Sequence, residues 1–259
     1  MDNKPSEFVV LEFGAFIEID RVADELTVID ELLELDGKDI LDLGCGRGEN
    51  ARAIAETGFD RRVFAIDVDE VQHAVNLKQD KPSNLSFEFG GAEAIPADDD
   101  SLDVVLLFKS LHHVPLLLMA SAFDEIARVL RPGGFALVSE PLFRGEFNEV
   151  LRIFHDEELV RRKAFEAVLA AVQSGKFELV SQTFLRCPLS FASFDEFDER
   201  VIRVTHTSHV LADEVLEEVR STFARYAKTD GAQFEQPVRI DLLRPPLKAA
   251  IDPKGGSSE

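Results

Sequence analysis

Three glycines within five residues, Gly44, Gly46 and Gly48, follow the apolar run Ile40–Leu43 in the segment ILDLGCGRG. A buried strand that enters such a turn and leaves it as a helix lets a ligand lie against bare backbone. The helix N-terminus behind the turn offers free N–H groups to an anion. Asp67 ends the next apolar run, RVFAI, 23 residues after Gly44. That is close to the spacing of about 20 residues at which an acid reaches ribose hydroxyls. A dinucleotide is one candidate ligand. It loses ground because Glu49 stands where the dinucleotide fingerprint needs glycine, and would set a carboxylate near a pyrophosphate.

Other side chains could carry chemistry. His112 and His113 follow the apolar run LDVVLLF, and histidine can take a proton near neutral pH. The plainer role for one of them is to cap the next helix or fill a polar wall. Glu140 ends FALVS at the same predicted sheet edge and can bind a cationic acceptor or act as a base; the alternative is a surface carboxylate. His206 and His209 have the three-residue spacing of a helical metal pair, but no third ligand stands nearby, so no metal site is expected. His155-Asp156-Glu157-Glu158 reads as a solvated charged face, and Cys45 as a packing residue of the glycine turn.

These residues need a scaffold. Between Asp20 and Leu35 apolar residues recur at three- and four-residue steps, an amphipathic helix that Gly37 stops. Strand-like runs then alternate with helices: Asp39–Leu43, Arg62–Ile66, Leu85–Phe89, Leu102–Phe108 and Phe135–Ser139, with helices at Asn50–Thr57, Glu70–Lys78 and Leu116–Leu130. Short strands separated by helices imply crossover connections and a parallel sheet covered on both faces. Beyond Pro141 the pattern predicts one helix over Glu149–Gln173 and a strand over Phe177–Arg186. Two inserted helices follow, near Phe194–Val204 and Asp213–Ala227, before a last strand at Val238–Leu243. Insertions beyond strand ends commonly build a substrate cover.

The segment from ILDLGCGRG to LRPGGFALVSEP resembles the class I S-adenosylmethionine-dependent methyltransferases. AID, ending on Asp67, is similar to that family's acidic second-strand terminus; GAEAIP (91–96) is similar to the segment that meets the adenine. LHHVP (111–115) and LRPGGFALVSEP (130–141) are similar to later motifs of its small-molecule branch. The resemblance covers about residues 38–141. It implies a doubly wound, mostly parallel α/β sheet of seven strands, with S-adenosylmethionine as cofactor and S-adenosylhomocysteine as product. Carried over, it puts Gly44, Cys45 and Gly46 along the methionine part and Asp42 near its amino group. Asp67 falls on the ribose hydroxyls, Val68 on the adenine face, Ala92 and Glu93 at the adenine edge, and Lys109 near the methionyl end. His112, His113 and Glu140 are the candidates for base assistance. Such a chain would methylate an oxygen, nitrogen or carbon of a small molecule. The rivals are a non-catalytic relative that binds the cofactor as sensor or scaffold, and a nicotinamide-dependent oxidoreductase.

Composition is compatible with this. Acids outnumber bases 49 to 28, which argues against a nucleic-acid partner, since phosphate binding needs excess Lys and Arg. The excess is concentrated in residues 1–140, which carry a net charge of -17 out of -21. An acidic half suits a cofactor bearing a sulfonium and an ammonium. No run reaches 18 apolar residues and the first residues lack a signal-like pattern, so no membrane partner and a cytoplasmic location are expected. One domain is expected: an N-terminal helical lid (1–37), a cofactor-binding core (38–141), C-terminal strands with a helical cover (142–247) and a frayed tail (248–259). Monomer and homodimer both remain open. Phe143, Phe147, Phe154, Phe191, Phe194 and Phe197, with Phe13 and Phe16, are expected mostly in the core; any that face a pocket would favour an acceptor with an apolar body.

Overall fold

The computed structural model describes Phe13, residues 17–205 and residues 210–247. The expectations for Phe16, for the His206/His209 pair, for the start of the lid and for the tail lie outside the described residues.

Strand β1 (Asp39–Leu43) is buried along its whole length and lies in the interior of the sheet. It pairs in parallel with β2 (Arg62–Asp67) on one side and β4 (Leu102–Phe108) on the other. Strand β3 (Leu85–Phe89) extends the sheet beyond β2, and β5 (Leu130–Pro141) beyond β4, again in parallel. Two long strands finish it: β8 (Gly231–Arg244) runs antiparallel to β5, and β6 (Glu178–Phe191) antiparallel to β8. The order is β3-β2-β1-β4-β5-β8-β6. The seven expected strands are joined by an eighth, the two-residue β7 (Ala227–Lys228), which hairpins onto β8.

The continuous apolar runs of β1 and β4 reflect burial on both faces. Leu41, Val105 and Leu107 pack to one side, against α4 (Met119–Val129) and α6 (Glu158–Gln173). Ile40, Val104 and Leu106 pack to the other, against α1 (Glu25–Leu32) and α2 (Glu49–Glu56). Strand order reverses between β1 and β4, and connections leaving in opposite directions open a crevice beyond the strands' carboxyl ends.

The second half departs from the periodicity in two places. The helix expected over Glu149–Gln173 is two, α5 (Glu146–Leu151) and α6, broken at 152–157. Asp156 accepts the Glu158 N–H at 3.0 Å and so starts a new helix, while Glu157 turns inward. The helix expected near Phe194–Val204 is a single α turn, α7 (Phe194–Phe197), continuing into a π-helical turn over Asp198–Ile202. With α8 (Asp213–Ala224) these elements enclose a separate aromatic core of Phe147, Phe191, Phe197, Phe223 and Phe234. Phe197 is fully buried, with the rings of Phe191 and Phe223 at 5.3 and 5.1 Å.

Candidate functional site

The glycine turn leaves β1 in a geometry that side chains would obstruct. Gly44 has φ +79°, and a Cβ there would lie 2.5 Å from the Ser110 Cβ at the end of β4. Gly48, φ +69°, caps α2, and a Cβ there would lie 2.5 Å from the Phe87 ring. Between them the Gly46 N–H donates to Asp67 at 2.6 Å, and the other Asp67 oxygen accepts from the Asp69 N–H at 2.9 Å. A carboxylate has about four acceptor sites, so two remain for a ligand.

A second support was not read from the sequence. In α3 (Glu70–Asn76) the buried Gln72 donates to Asn76 at 3.0 Å, and Asn76 donates to the Gly46 carbonyl at 2.8 Å. The available signal was two polar residues four apart on the inward face of a short helix.

Asp42 is buried beneath the turn, and neither carboxylate oxygen has a hydrogen-bond partner of normal geometry. Burial, reinforced by the charge of Asp67, pushes its pKa up to about 7; the Ala51 N–H in the first turn of α2 draws it back. The same burial and the same two acids push the Cys45 thiol well above its ordinary range, so Cys45 is not a ready nucleophile.

The glycine turn and Asp67 line one cavity of about 640 Å³ at the crevice; Asp42 is not among the residues that line it. Gly44, Cys45 and Gly46 form one edge, with Asp67 and the exposed Val68 next to them; Ala92 and Glu93 line a further wall. Glu93 folds over Gly91, where a Cβ would meet its carboxylate at 2.5 Å. Lys109 and His113 also line it, and Arg200 and Arg203 from the inserted segment border the cavity. Lys109 adopts φ +54°, and its ammonium pairs with Glu25 of α1. Glu25 also accepts from the Ser139 hydroxyl at 2.5 Å, so α1 is tied to the ends of β4 and β5.

The three residues expected to assist catalysis are not equivalent. Only His113 lines the cavity. His112 and Glu140 are buried and paired, Nδ1 to Oε2 at 2.5 Å, and Glu140 also accepts the Leu111 N–H at 3.0 Å. Burial alone would lower the His112 pKa, but Glu140 and Glu157 lift it to about 9. Glu140 is held low against its own burial, chiefly by His112. Glu157 departs from the solvated face expected of its segment. It is buried, bound through one oxygen to Arg161 at 2.5 Å, and its other oxygen lies 3.0 Å from His155 and 3.5 Å from His112. Of the phenylalanines expected near the pocket, none of the described ones lines the cavity, and Phe147, Phe191 and Phe197 pack in the separate aromatic core; the ring that does line it is Phe108, at the end of β4.

Residues 40–134 match the family described as a methyltransferase domain. Over 126 residues the chain is 37% identical to a Mycolicibacterium smegmatis protein described as a probable S-adenosylmethionine-dependent methyltransferase, covering 48% of this chain and 47% of that one. Over this segment the chain carries a methyltransferase domain similar to those of S-adenosylmethionine-dependent methyltransferases. A phthiotriol/phenolphthiotriol dimycocerosates methyltransferase of Mycobacterium tuberculosis is 34% identical over 103 residues, 40% of this chain and 37% of that protein. The chain thus spans about half the length or less of the curated relatives it matches. In fold, the chain is similar to the YcgJ protein of Bacillus subtilis, with a TM-score of 0.58 at 18% identity, covering 85% and 98% of the two chains. It is also similar to the cyclase SpnF, with a TM-score of 0.55 at 22% identity, covering 86% and 80%.

The residues present fit the family's cofactor, S-adenosylmethionine, and its product S-adenosylhomocysteine. The turn has no lysine for a phosphate, Asp67 keeps acceptor capacity at the end of β2, and Asp42 is a buried acid without a partner of normal geometry, suited to an ammonium nearby.

Proposed function

We propose that this protein is an S-adenosylmethionine-dependent methyltransferase that transfers a methyl group to an oxygen, nitrogen or carbon of a small molecule. The observation that carries this reading is a cavity lined together by the glycine turn, Asp67, Lys109 and His113. When bound, S-adenosylmethionine supplies an electrophilic methyl on a positively charged sulfur. Gly44, Cys45 and Gly46 would hold the methionine part, with Asp42 close to its amino group. Asp67 would take the ribose hydroxyls, and Val68, Ala92 and Glu93 would surround the adenine. Lys109 would stand near the methionyl end.

Methyl transfer is an in-line displacement, so the chain's main contribution is to align the acceptor, and proximity is the largest available term. A base is needed only where the acceptor must lose a proton. His113 is the candidate to touch the acceptor, because it faces the cavity. His112 and Glu140 stand behind it, and their role in this reading is to position the His113 turn.

The lipid-like substrate in one relative's name and the acidic composition both favour a small-molecule acceptor over nucleic acid. We further place the protein in the cytoplasm, with helix α1 as part of the lid and residues 38–141 as the cofactor-binding core; no helix among the described residues is long and apolar enough to cross a membrane. A second reading, a relative that binds the cofactor without methylating, is favoured by the fold shared with a cyclase. Incubation with radiolabelled S-adenosylmethionine and a panel of small-molecule acceptors separates the two. Label in an acceptor supports methyl transfer. Tight cofactor binding with no label in any acceptor class favours the second reading.

A further inference from the structure

We propose that His112, His113 and Glu157 bind one divalent transition-metal ion beside the acceptor end of the cavity. One ligand atom from each of the three lies within 4.8 Å of the other two. A tetrahedral ion with bonds near 2.1 Å needs ligand atoms roughly 3–3.5 Å apart, so modest side-chain rotation closes the site.

The two buried donors are already oriented from outside. Glu140 engages the His112 Nδ1 at 2.5 Å, which leaves Nε2 directed toward Glu157 at 3.5 Å. A carboxylate behind a ligating histidine is the usual support of a metal-bound imidazole. Arg161 holds one Glu157 oxygen at 2.5 Å and leaves the other toward the histidines. A buried ion-pair network would account for His112, Glu140, Glu157 and Arg161. The exposed His113, its ring 4.1 Å from that of His112, adds a third donor at the same point, on the cavity side. His155, 3.0 Å from the same Glu157 oxygen, flanks the cluster.

Two imidazoles and one carboxylate select Zn(II), Co(II), Mn(II) or Fe(II) over Mg(II) and Ca(II), which prefer all-oxygen shells. Three protein ligands leave at least one position open, and His113 sets it at the cavity edge. An acceptor oxygen would occupy that position. Metal binding stands independently of the methyl-transfer reading; only this role for the ion rests on it.

The test is titration of the full, untagged, chelator-stripped chain with Co(II), followed by visible absorption, and with Zn(II), followed by calorimetry. One ion per chain is expected, with ligand-field bands of an N/O site. His113→Ala, whose side chain is exposed, should weaken binding at least 10-fold while leaving circular dichroism unchanged. Glu140→Gln should weaken it about 10–100-fold through the supporting hydrogen bond. His206→Ala with His209→Ala should leave the affinity as it was. No stoichiometric uptake, or uptake insensitive to His113→Ala, overturns the site, as does loss of uptake in the His206/His209 variant. Thermal shift with S-adenosylmethionine on the same samples keeps the two readings apart. Metal uptake without a cofactor shift supports the site and removes its role in methyl transfer. A cofactor shift without metal uptake overturns the site alone.

Discussion

The Gly46 backbone N–H donates to the Asp67 carboxylate at 2.6 Å, so the acid at the end of β2 also holds the glycine turn that leaves β1. In the proposed function, cofactor binding and turn geometry are therefore coupled through one side chain. Asp67→Ala should lose a charge-assisted hydrogen bond to the ligand, about 1.5–3 kcal/mol, or roughly 10–100-fold in affinity. Asp67→Asn keeps an acceptor for Gly46 and should lose less. Calorimetric titration with S-adenosylhomocysteine checks both; equal affinity in Asp67→Ala and wild type would remove the ribose assignment.

Gly44→Ala meets two obstacles, a φ of +79° and the Ser110 Cβ at 2.5 Å. The expected loss is about 1–3 kcal/mol of stability. Adding Ser110→Gly removes the steric part and leaves the backbone strain, so the double variant should recover part of the loss in chemical denaturation. No recovery would mean that Ser110 can move aside and strain accounts for the whole effect.

Asp42 links stability to pH. Its folded pKa of about 7 lies above the ordinary 3.8, because burial disfavours the charged form. A raised folded pKa means that the contribution is fully present below about pH 4 and is lost as pH rises through about 7. Asp42→Asn cannot ionise. Without cofactor it should be more stable than wild type at pH 8, by an amount on the order of a few kcal/mol, with the gap closing toward pH 4. Parallel pH–melting curves for the two proteins would refute the assignment.

Neighbouring histidines should behave oppositely. His112→Ala leaves Glu140 buried without its partner, a change that typically costs about 3–5 kcal/mol, or a fall in melting temperature of roughly 6–20 °C for a chain of this size. His113→Ala, at an exposed position, should change stability by less than about 0.5 kcal/mol. Differential scanning fluorimetry of the stripped protein distinguishes them.

Phe197→Ala tests the aromatic cluster. As a fully buried core ring it should cost about 3–5 kcal/mol and leave cofactor affinity unchanged. A stable variant with altered acceptor preference would return Phe197 to the acceptor pocket.

The glycine turn and its tie to the end of β2 were legible because they depend on local features: a strand too apolar for a surface, glycines where the backbone turns with positive φ, and an acid one crossover later. Each is written within about 25 residues, and burial on both faces of a parallel sheet imposes it on the chain whatever lies elsewhere. The breaks at 152–157 and 198–202 were hidden, because helical periodicity runs through both and the break depends on where Glu157 finds its partners.

The acceptor end is a matter of register between distant segments. His112 meets Glu140 across 28 residues, Lys109 meets Glu25 across 84, and Glu157 reaches the histidines only because α6 packs beneath the turn that carries them. In one dimension His112 and His113 are equal and Glu157 is one acid in a charged run. Sheet pairing and helix packing turn one histidine inward to two carboxylates and leave the other in the cavity. Each side chain's environment there is set by neighbours that chain order does not name.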